Sequence, residues 1–256
     1  MKRAKKNTRR KIYLISKIIN IISLISIIIL SVIIWKWNQD NKKSENIMKN
    51  VLKDKNEISN DIVSKEEVGY INFNKLIETN SDTIGWIQVF GTEINYPVVQ
   101  TNDNQFYLTH TFDKSYNKTG WIFADYNNKN LKNNELDKNT IIYGHNREND
   151  SMFGTLSNVL TKEWREDNSN TLINFSTIDK EMKWQVFSTY TIESEDNYIR
   201  TKFSSDNEYI KFLNMIKKRS IHNFDIDVSK NDNILTLSTC TNIGEGRIVV
   251  HAKLIK

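Results

Sequence analysis

The chain has 256 residues, 38% of them hydrophobic and 26% charged, with a formal net charge of +5. That length supports one globular domain with a sizeable core plus appendages and leaves little room for two large domains. Seven positive charges (Lys2, Arg3, Lys5, Lys6, Arg9, Arg10, Lys11) stand in the first eleven residues without an acid among them. Removing those seven takes +5 to −2, so the positive excess sits in a short tail and not over a folded face where it could neutralise phosphates, and nucleic acid is set aside as a partner.

Residues 1–11 therefore read as a basic tail, and residues 12–37 as a transmembrane signal anchor. The run from Ile18 to Trp35 is broken only by Asn20 and three serines, and roughly 20 such residues cross a bilayer. Charges pile up before the run, while Asp40, Lys42, Lys43 and Glu45 after it are mixed in sign. This predicts a single pass with the N-terminus cytoplasmic and everything from about residue 38 outside. A cleaved signal peptide would need small residues at a cleavage site, whereas this run ends Ile34-Trp35-Lys36-Trp37, an interfacial aromatic belt that favours retention in the membrane.

Residues 38–68 are polar, but Ile47, Val51, Ile58 and Ile62 recur at helical spacing, which predicts a helical linker with one apolar face. A flexible stalk is the alternative. Over residues 69–256 the texture changes to short β-branched and aromatic runs separated by Asn, Asp and Gly, the pattern of a mainly β domain. Strands are predicted at Ile84–Val89, Ile94–Gln100, Gly120–Ala124, Thr140–Tyr143, Thr171–Phe175, Met182–Ile192, Ile234–Thr239 and Arg247–Ile255. Phe90-Gly91-Thr92 supplies a turn between the first two, and Pro97 predicts an edge or a bulge because it lacks a ladder donor. Two stretches carry helical spacing instead: Met152, Phe153, Leu156, Val159 and Leu160, then Tyr209, Ile210, Phe212, Leu213 and Ile216. The second lies in the crossover before the strand that leads to the cysteine.

Cys240 is the only cysteine, so no intramolecular disulfide is possible, and its thiol is either an inert buried group or a nucleophile. It ends the strand-like run Ile234–Thr239, and the next predicted strand opens with Arg247. Pairing of the two would return a guanidinium to the thiol, where it could steady a thiolate and donate to a developing oxyanion. A thiol of ordinary pKa also needs a proton partner. Of four histidines, His145 ends the strand Thr140–Gly144 and enters a polar loop, the placement a base requires. His251 shares a strand face with Arg247 and Val249 and is the rival. His110 reads as surface or structural, and His222 as a solvated helix cap. There is no HExxH, no CxxC and no glycine-rich phosphate loop, so no metal or cofactor is expected.

At these residues the chain resembles the sortase family. Thr236-Leu237-Ser238-Thr239-Cys240 matches its Thr-Leu-x-Thr-Cys motif, Gly246-Arg247-Ile248-Val249-Val250 its arginine strand, and Tyr143-Gly144-His145-Asn146 its histidine segment. The resemblance runs from about Ile84-Gly85-Trp86-Ile87 to the C-terminus. Ile94-Asn95-Tyr96-Pro97-Val98-Val99-Gln100, the late crossover helix and the helical region before the barrel are similar to class B. It implies a closed β-barrel of about eight strands with N-terminal helices, and a cysteine transpeptidase working outside a Gram-positive cell. Cys240, His145 and Arg247 would be catalytic. Asn104, Leu108, Tyr198, Ile199 and Ser238 would contact substrate, and no cofactor is implied. The implied partners are the bilayer, surface proteins with a C-terminal sorting motif resembling Asn-Pro-x-Thr, and a peptidoglycan amine that receives them. A pilin-polymerising sortase, a plain cysteine peptidase and a non-catalytic tethered binding protein are the alternatives.

Overall fold

A computed structural model of the chain describes residues 2–59, 71–129, 131, 135–193, 197–240 and 246–256, with the side chains of residues 2–12, 52–59 and Cys240 outside that description. The chain divides into two units, Met1–Asn46 and Ile47–Lys256. The first is helical, the beginning of α1 (Lys2–Ser59), and its large apolar side chains from Tyr13 to Trp37 are exposed within it. Among the described residues one helical segment, Tyr13–Val51, is long and apolar enough to cross a membrane.

The second unit begins with the last turns of α1. Val51 is buried there, and Ile47 and Met48 pack against the same apolar cluster, so two residues of the predicted stripe face the core. The side chain of Ile58, and Ile62 altogether, lie outside the described residues. Helix α2 (Phe73–Thr79) is capped by Asn72, whose side chain accepts from Lys75 N.

Eight strands then close a barrel: β1 (Thr83–Val89), β2 (Asn95–Val99), β3 (Phe123–Ala124), β4 (Asn139–His145), β5 (Leu172–Thr177), β6 (Lys183–Ile192), β7 (Ile234–Cys240) and β8 (Arg247–Leu254). Their order around the barrel is β1-β2-β3-β4-β7-β8-β6-β5, the closed eight-stranded fold expected. The strands are buried along most of their length, and Ile87, Ile141, Phe175, Val186, Leu237 and Val250 are all buried in one cluster. Burial contributes roughly 1.5–3 kcal/mol for each such side chain.

Closure also answers the proline expectation. Pro97 pairs with Trp86 of β1, but its carbonyl accepts from Trp121 Nε1 at 3.0 Å, so its backbone polar groups face away from β1. On that side β2 meets β3 only at Val99, and a missing N–H costs little. Strand β3 is shorter than Gly120–Ala124 because Gly120 has a φ of +64 and Trp121 N donates to Tyr107 O instead of to a ladder. The Met152–Leu160 stretch is a 3-10 helix over Gly154–Leu160, preceded by Met152 at φ +55 and followed by a short α3 (Lys162–Glu166).

Strands β4 and β7 are parallel neighbours, so the chain must cross over between them. The crossover contains β5, β6 and α4 (Asp206–Arg219). Ser205 caps α4 by accepting from Glu208 N, acids fill its first turn, and Lys217, Lys218 and Arg219 fill its last, which complements the helix dipole. Its buried face, Tyr209, Phe212, Leu213 and Ile216, covers Phe187, Tyr190, Tyr198 and Val249.

Candidate active site

The parallel β4–β7 register carries the site. It pairs Asn139 with Ile234 at one end and His145 with Cys240 at the other. Backbones of paired strands lie about 4.8 Å apart, so residues distant in sequence become neighbours where both strands run out. Strand β8 starts at Arg247, and Ile248 N donates to Thr239 Oγ1 at 2.9 Å, tying the start of β8 to the end of β7.

A groove of about 280 Å³ opens at this place. It is lined by Asn104 and Leu108 from the segment before β3, Phe123 of β3, Tyr143 of β4, Ser238 and Thr239 of β7, Ile199 and Arg247. A slightly larger cavity, about 310 Å³, lies beside the β5–β6 turn, shares no lining residue with the groove and has no His, Cys or Arg among its described lining residues. The chemistry therefore points to the groove.

His145 is half-buried, and its Nε2 lies 2.8 Å from the Leu108 carbonyl. A carbonyl oxygen only accepts, so Nε2 carries the proton and the lone pair of the neutral ring is on Nδ1. Burial holds its pKa below the ordinary histidine value; the Leu108 bond opposes that shift and the nearby Arg147 charge adds to it. A neutral ring is the form that can take a thiol proton. The Leu108 carbonyl is aimed by its neighbours. Asn117 N donates to Thr109 O at 2.8 Å and Trp121 N to Tyr107 O at 2.9 Å, which leaves the carbonyl between them for His145. Gly120 allows the approach, since a Cβ there would lie 2.6 Å from Tyr107 O and 2.7 Å from His145 Cδ2.

Beneath the groove, Asp125 is 1% exposed. Its Oδ2 accepts from Asn104 Nδ2 at 2.9 Å and Tyr143 Oη at 2.8 Å, while Asn104 Oδ1 accepts from Tyr126 N. The Asn104 amide is thereby oriented on both sides. Tyr198 is fully buried behind the groove and does not line it; its hydroxyl bonds Ser238 Oγ at 2.8 Å, and Arg247 Nη1 reaches it at 3.4 Å.

Of the residues singled out from sequence, Asn104, Leu108, Ile199, Ser238 and Arg247 line this one groove; His145 and Cys240 are not among its lining residues but are register partners, Cys240 next in the chain to the lining residue Thr239 and His145 bonded to the Leu108 carbonyl. Phe123, Tyr143, Thr239 and Asp125 were not singled out as site residues; Tyr143 carried a signal, standing two residues before His145. The other histidines are engaged elsewhere. His110 stacks on Phe106 with Nδ1 at 2.8 Å from Phe106 O. His222 is half-buried rather than a solvated cap, its Nε2 on Leu160 O. His251 is wholly buried, its nitrogens on Thr236 and Tyr190, and burial together with the Arg219 charge pushes its pKa down to about 3.

Residues 87–255 match the sortase domain family. Sortase B of Staphylococcus aureus (strain NCTC 8325 / PS 47) is 41% identical over 187 residues, 72% of this chain and 75% of that protein. A structure described as the Staphylococcus aureus sortase B–substrate complex superposes with a TM-score of 0.66 at 39% identity, covering 72% of this chain and 84% of the other. A sortase B structure described as complexed with triglycine gives a TM-score of 0.67 at 39% identity over 72% and 85%. The chain belongs to the sortase family and is a cysteine transpeptidase of the sortase B type.

Proposed function

We propose that this transpeptidase works outside the cell, held by its apolar helix, and moves surface proteins from a C-terminal sorting motif onto a peptidoglycan amine. The motif is a sequence resembling Asn-Pro-x-Thr followed by Asn, Ser or Gly. The observation that carries the reading is the β4–β7 register, in which His145 and Cys240 are partners, Cys240 one strand position beyond, and His145 bonded to, a residue of the groove that Arg247 lines. Residues 1–11 are the cytoplasmic tail, 12–37 the anchor, 38–68 the linker and 69–256 the catalytic domain.

In the first half-reaction the Cys240 thiol gives its proton to His145 Nδ1, and the thiolate attacks the threonine carbonyl. Arg247 donates to the resulting oxyanion, a permanent charge in a groove where its interactions are weakly screened. The imidazolium then protonates the departing amine as the peptide bond breaks, leaving a thioester. In the second half-reaction an incoming amine loses a proton to Nδ1, attacks the thioester and expels the thiolate. Asn104, Leu108, Ile199 and Ser238 contact the peptide, and Tyr198 acts from behind through Ser238 and Arg247. Relatives whose structures are described with a substrate and with triglycine support a peptide groove and a primary-amine acceptor.

The test incubates the full chain in detergent micelles with a panel of peptides of the form Asn-Pro-x-Thr-Asn, with and without triglycine, and identifies products by mass spectrometry. The reading predicts a peptide joined through its threonine to triglycine, lost in Cys240→Ala. Threonine-terminated hydrolysis product alone, with triglycine in excess, would make the chain a plain peptidase instead. Equal turnover by Cys240→Ala would remove the thiol from the mechanism.

A further inference from the structure

Four buried polar side chains stand in line across four consecutive barrel strands, on the side covered by α4. They are Tyr190 on β6, His251 on β8, Thr236 on β7 and Asn139 on β4, each at most 2% exposed. Tyr190 Oη lies 2.9 Å from His251 Nε2, His251 Nδ1 2.8 Å from Thr236 Oγ1, and Thr236 Oγ1 2.6 Å from Asn139 Oδ1. Asn139 Nδ2 donates to the carbonyls of Arg200 at 2.9 Å and Tyr198 at 3.5 Å.

The two carbonyls fix the direction of the whole line. They only accept, so the Asn139 amide nitrogen must face them and its oxygen must face Thr236. The single Thr236 hydroxyl proton goes to that oxygen, so Thr236 accepts from His251 and Nδ1 carries the ring proton. In a neutral ring Nε2 is then the acceptor and Tyr190 the donor. Every bond runs the same way, from Tyr190 toward the 198–200 backbone, an arrangement in which successive bonds polarise and strengthen one another.

The end of the line matters for the groove. Residues 198–200 belong to no strand or helix, so their carbonyls have no ladder partner. Ile199, between the two bonded carbonyls, lines the groove, and the Tyr198 hydroxyl meets Ser238 and Arg247. We propose that Asn139 is a positioning residue for substrate: held by the Thr236–His251–Tyr190 line, it fixes the Tyr198–Arg200 wall against which the sorting peptide binds. This rests on the reading of the groove given above. Asn139 lies at the opposite end of β4 from His145, so it acts on binding and leaves the proton transfer alone.

The full chain in detergent micelles, carrying 15N-labelled histidine, provides the test, with the Asn-Pro-x-Thr-Asn peptides as substrate. Asn139→Leu is expected to raise KM about tenfold, the consequence of taking the side-chain donor from the Arg200 carbonyl and leaving the Tyr198 carbonyl with Arg200 N alone, with kcat within about twofold of wild type. Thr236→Val, which keeps shape and loses the hydroxyl, is expected to move KM the same way, and Thr236→Ser to restore it. The His251 nitrogen shifts are expected to report the Nδ1–H tautomer. An unchanged KM in folded Asn139→Leu, a loss confined to kcat, equal impairment in Thr236→Ser and Thr236→Val, or an Nε2–H tautomer would each overturn the inference alone. If Asn139→Leu does not fold, the Thr236 pair and the tautomer decide it. Undiminished turnover in Cys240→Ala overturns the site reading, and the inference with it.

Discussion

His251 offers a quantitative handle on the buried polar line. The folded protein holds its pKa at about 3, chiefly by burial, against an ordinary value of 6.5. The unfolded chain therefore binds a proton that the folded chain refuses at any pH between those values. Stability is unaffected well above 6.5 and falls as pH drops below it, by about 1.4 kcal/mol per unit, until the folded ring itself protonates near 3. Between pH 7 and pH 5 the loss from this one residue is about 2 kcal/mol, and few carboxylates titrate in that window. The assay is urea unfolding of the full chain in micelles, followed by tryptophan fluorescence at pH 7, 6 and 5, for wild type and His251→Gln. The variant is less stable at pH 7 because Thr236 and Tyr190 lose a well-shaped partner, by about 1–3 kcal/mol, but its stability declines less on acidification. His145, whose pKa is also lowered, is present in both proteins and cancels in the difference. Parallel pH profiles for the two proteins would refute a neutral, buried His251.

Further expectations concern the groove and its supports. Gly120→Ala places a side chain at φ +64 and against the Tyr107 carbonyl; the backbone alone costs about 1–2 kcal/mol, and displacement of Leu108 from His145 is expected to lower kcat/KM at least about tenfold. Asp125→Asn sets an amide where a shared acceptor holds Asn104 and Tyr143, and peptide KM is expected to rise roughly five- to hundredfold, the range for one unsatisfied buried donor. Ser205→Ala removes the cap of α4 and is expected to cost about 1 kcal/mol, read as a fall in Tm of about 2–4 °C, with peptide turnover at 25 °C unchanged.

Much of the barrel was legible because its strands are short β-branched and aromatic runs separated by Asn, Asp and Gly, and its turns carry their own chemistry. Gly91, at φ +70, closes the β1–β2 turn where Phe90-Gly91-Thr92 predicted one. What was not legible depends on partners distant in the chain. Trp121 looks like a strand residue, yet its N–H and its indole both bond outside any ladder, and β3 shrinks accordingly. The Met152–Leu160 spacing was apolar on one face as a helix requires, but spacing alone does not separate a 3-10 helix from an α-helix. In the site, strand-end position pointed to His145 and Cys240, whereas Tyr198 stands behind the groove and Asp125 beneath it, a distinction set by tertiary contacts. Asn139, at the head of an apolar strand, carried only the weak signal that asparagine is uncommon there.

The central claim is that the Cys240 sulfur takes the substrate acyl group. Intact-protein and peptide mass spectrometry of the full chain, quenched in acid soon after mixing with an Asn-Pro-x-Thr-Asn peptide, tests it directly. The account predicts a mass increase equal to the peptide through its threonine, mapped to Cys240, absent in Cys240→Ala and discharged by added triglycine. Turnover of the peptide with no adduct under any quench, or an adduct on another residue, would contradict it.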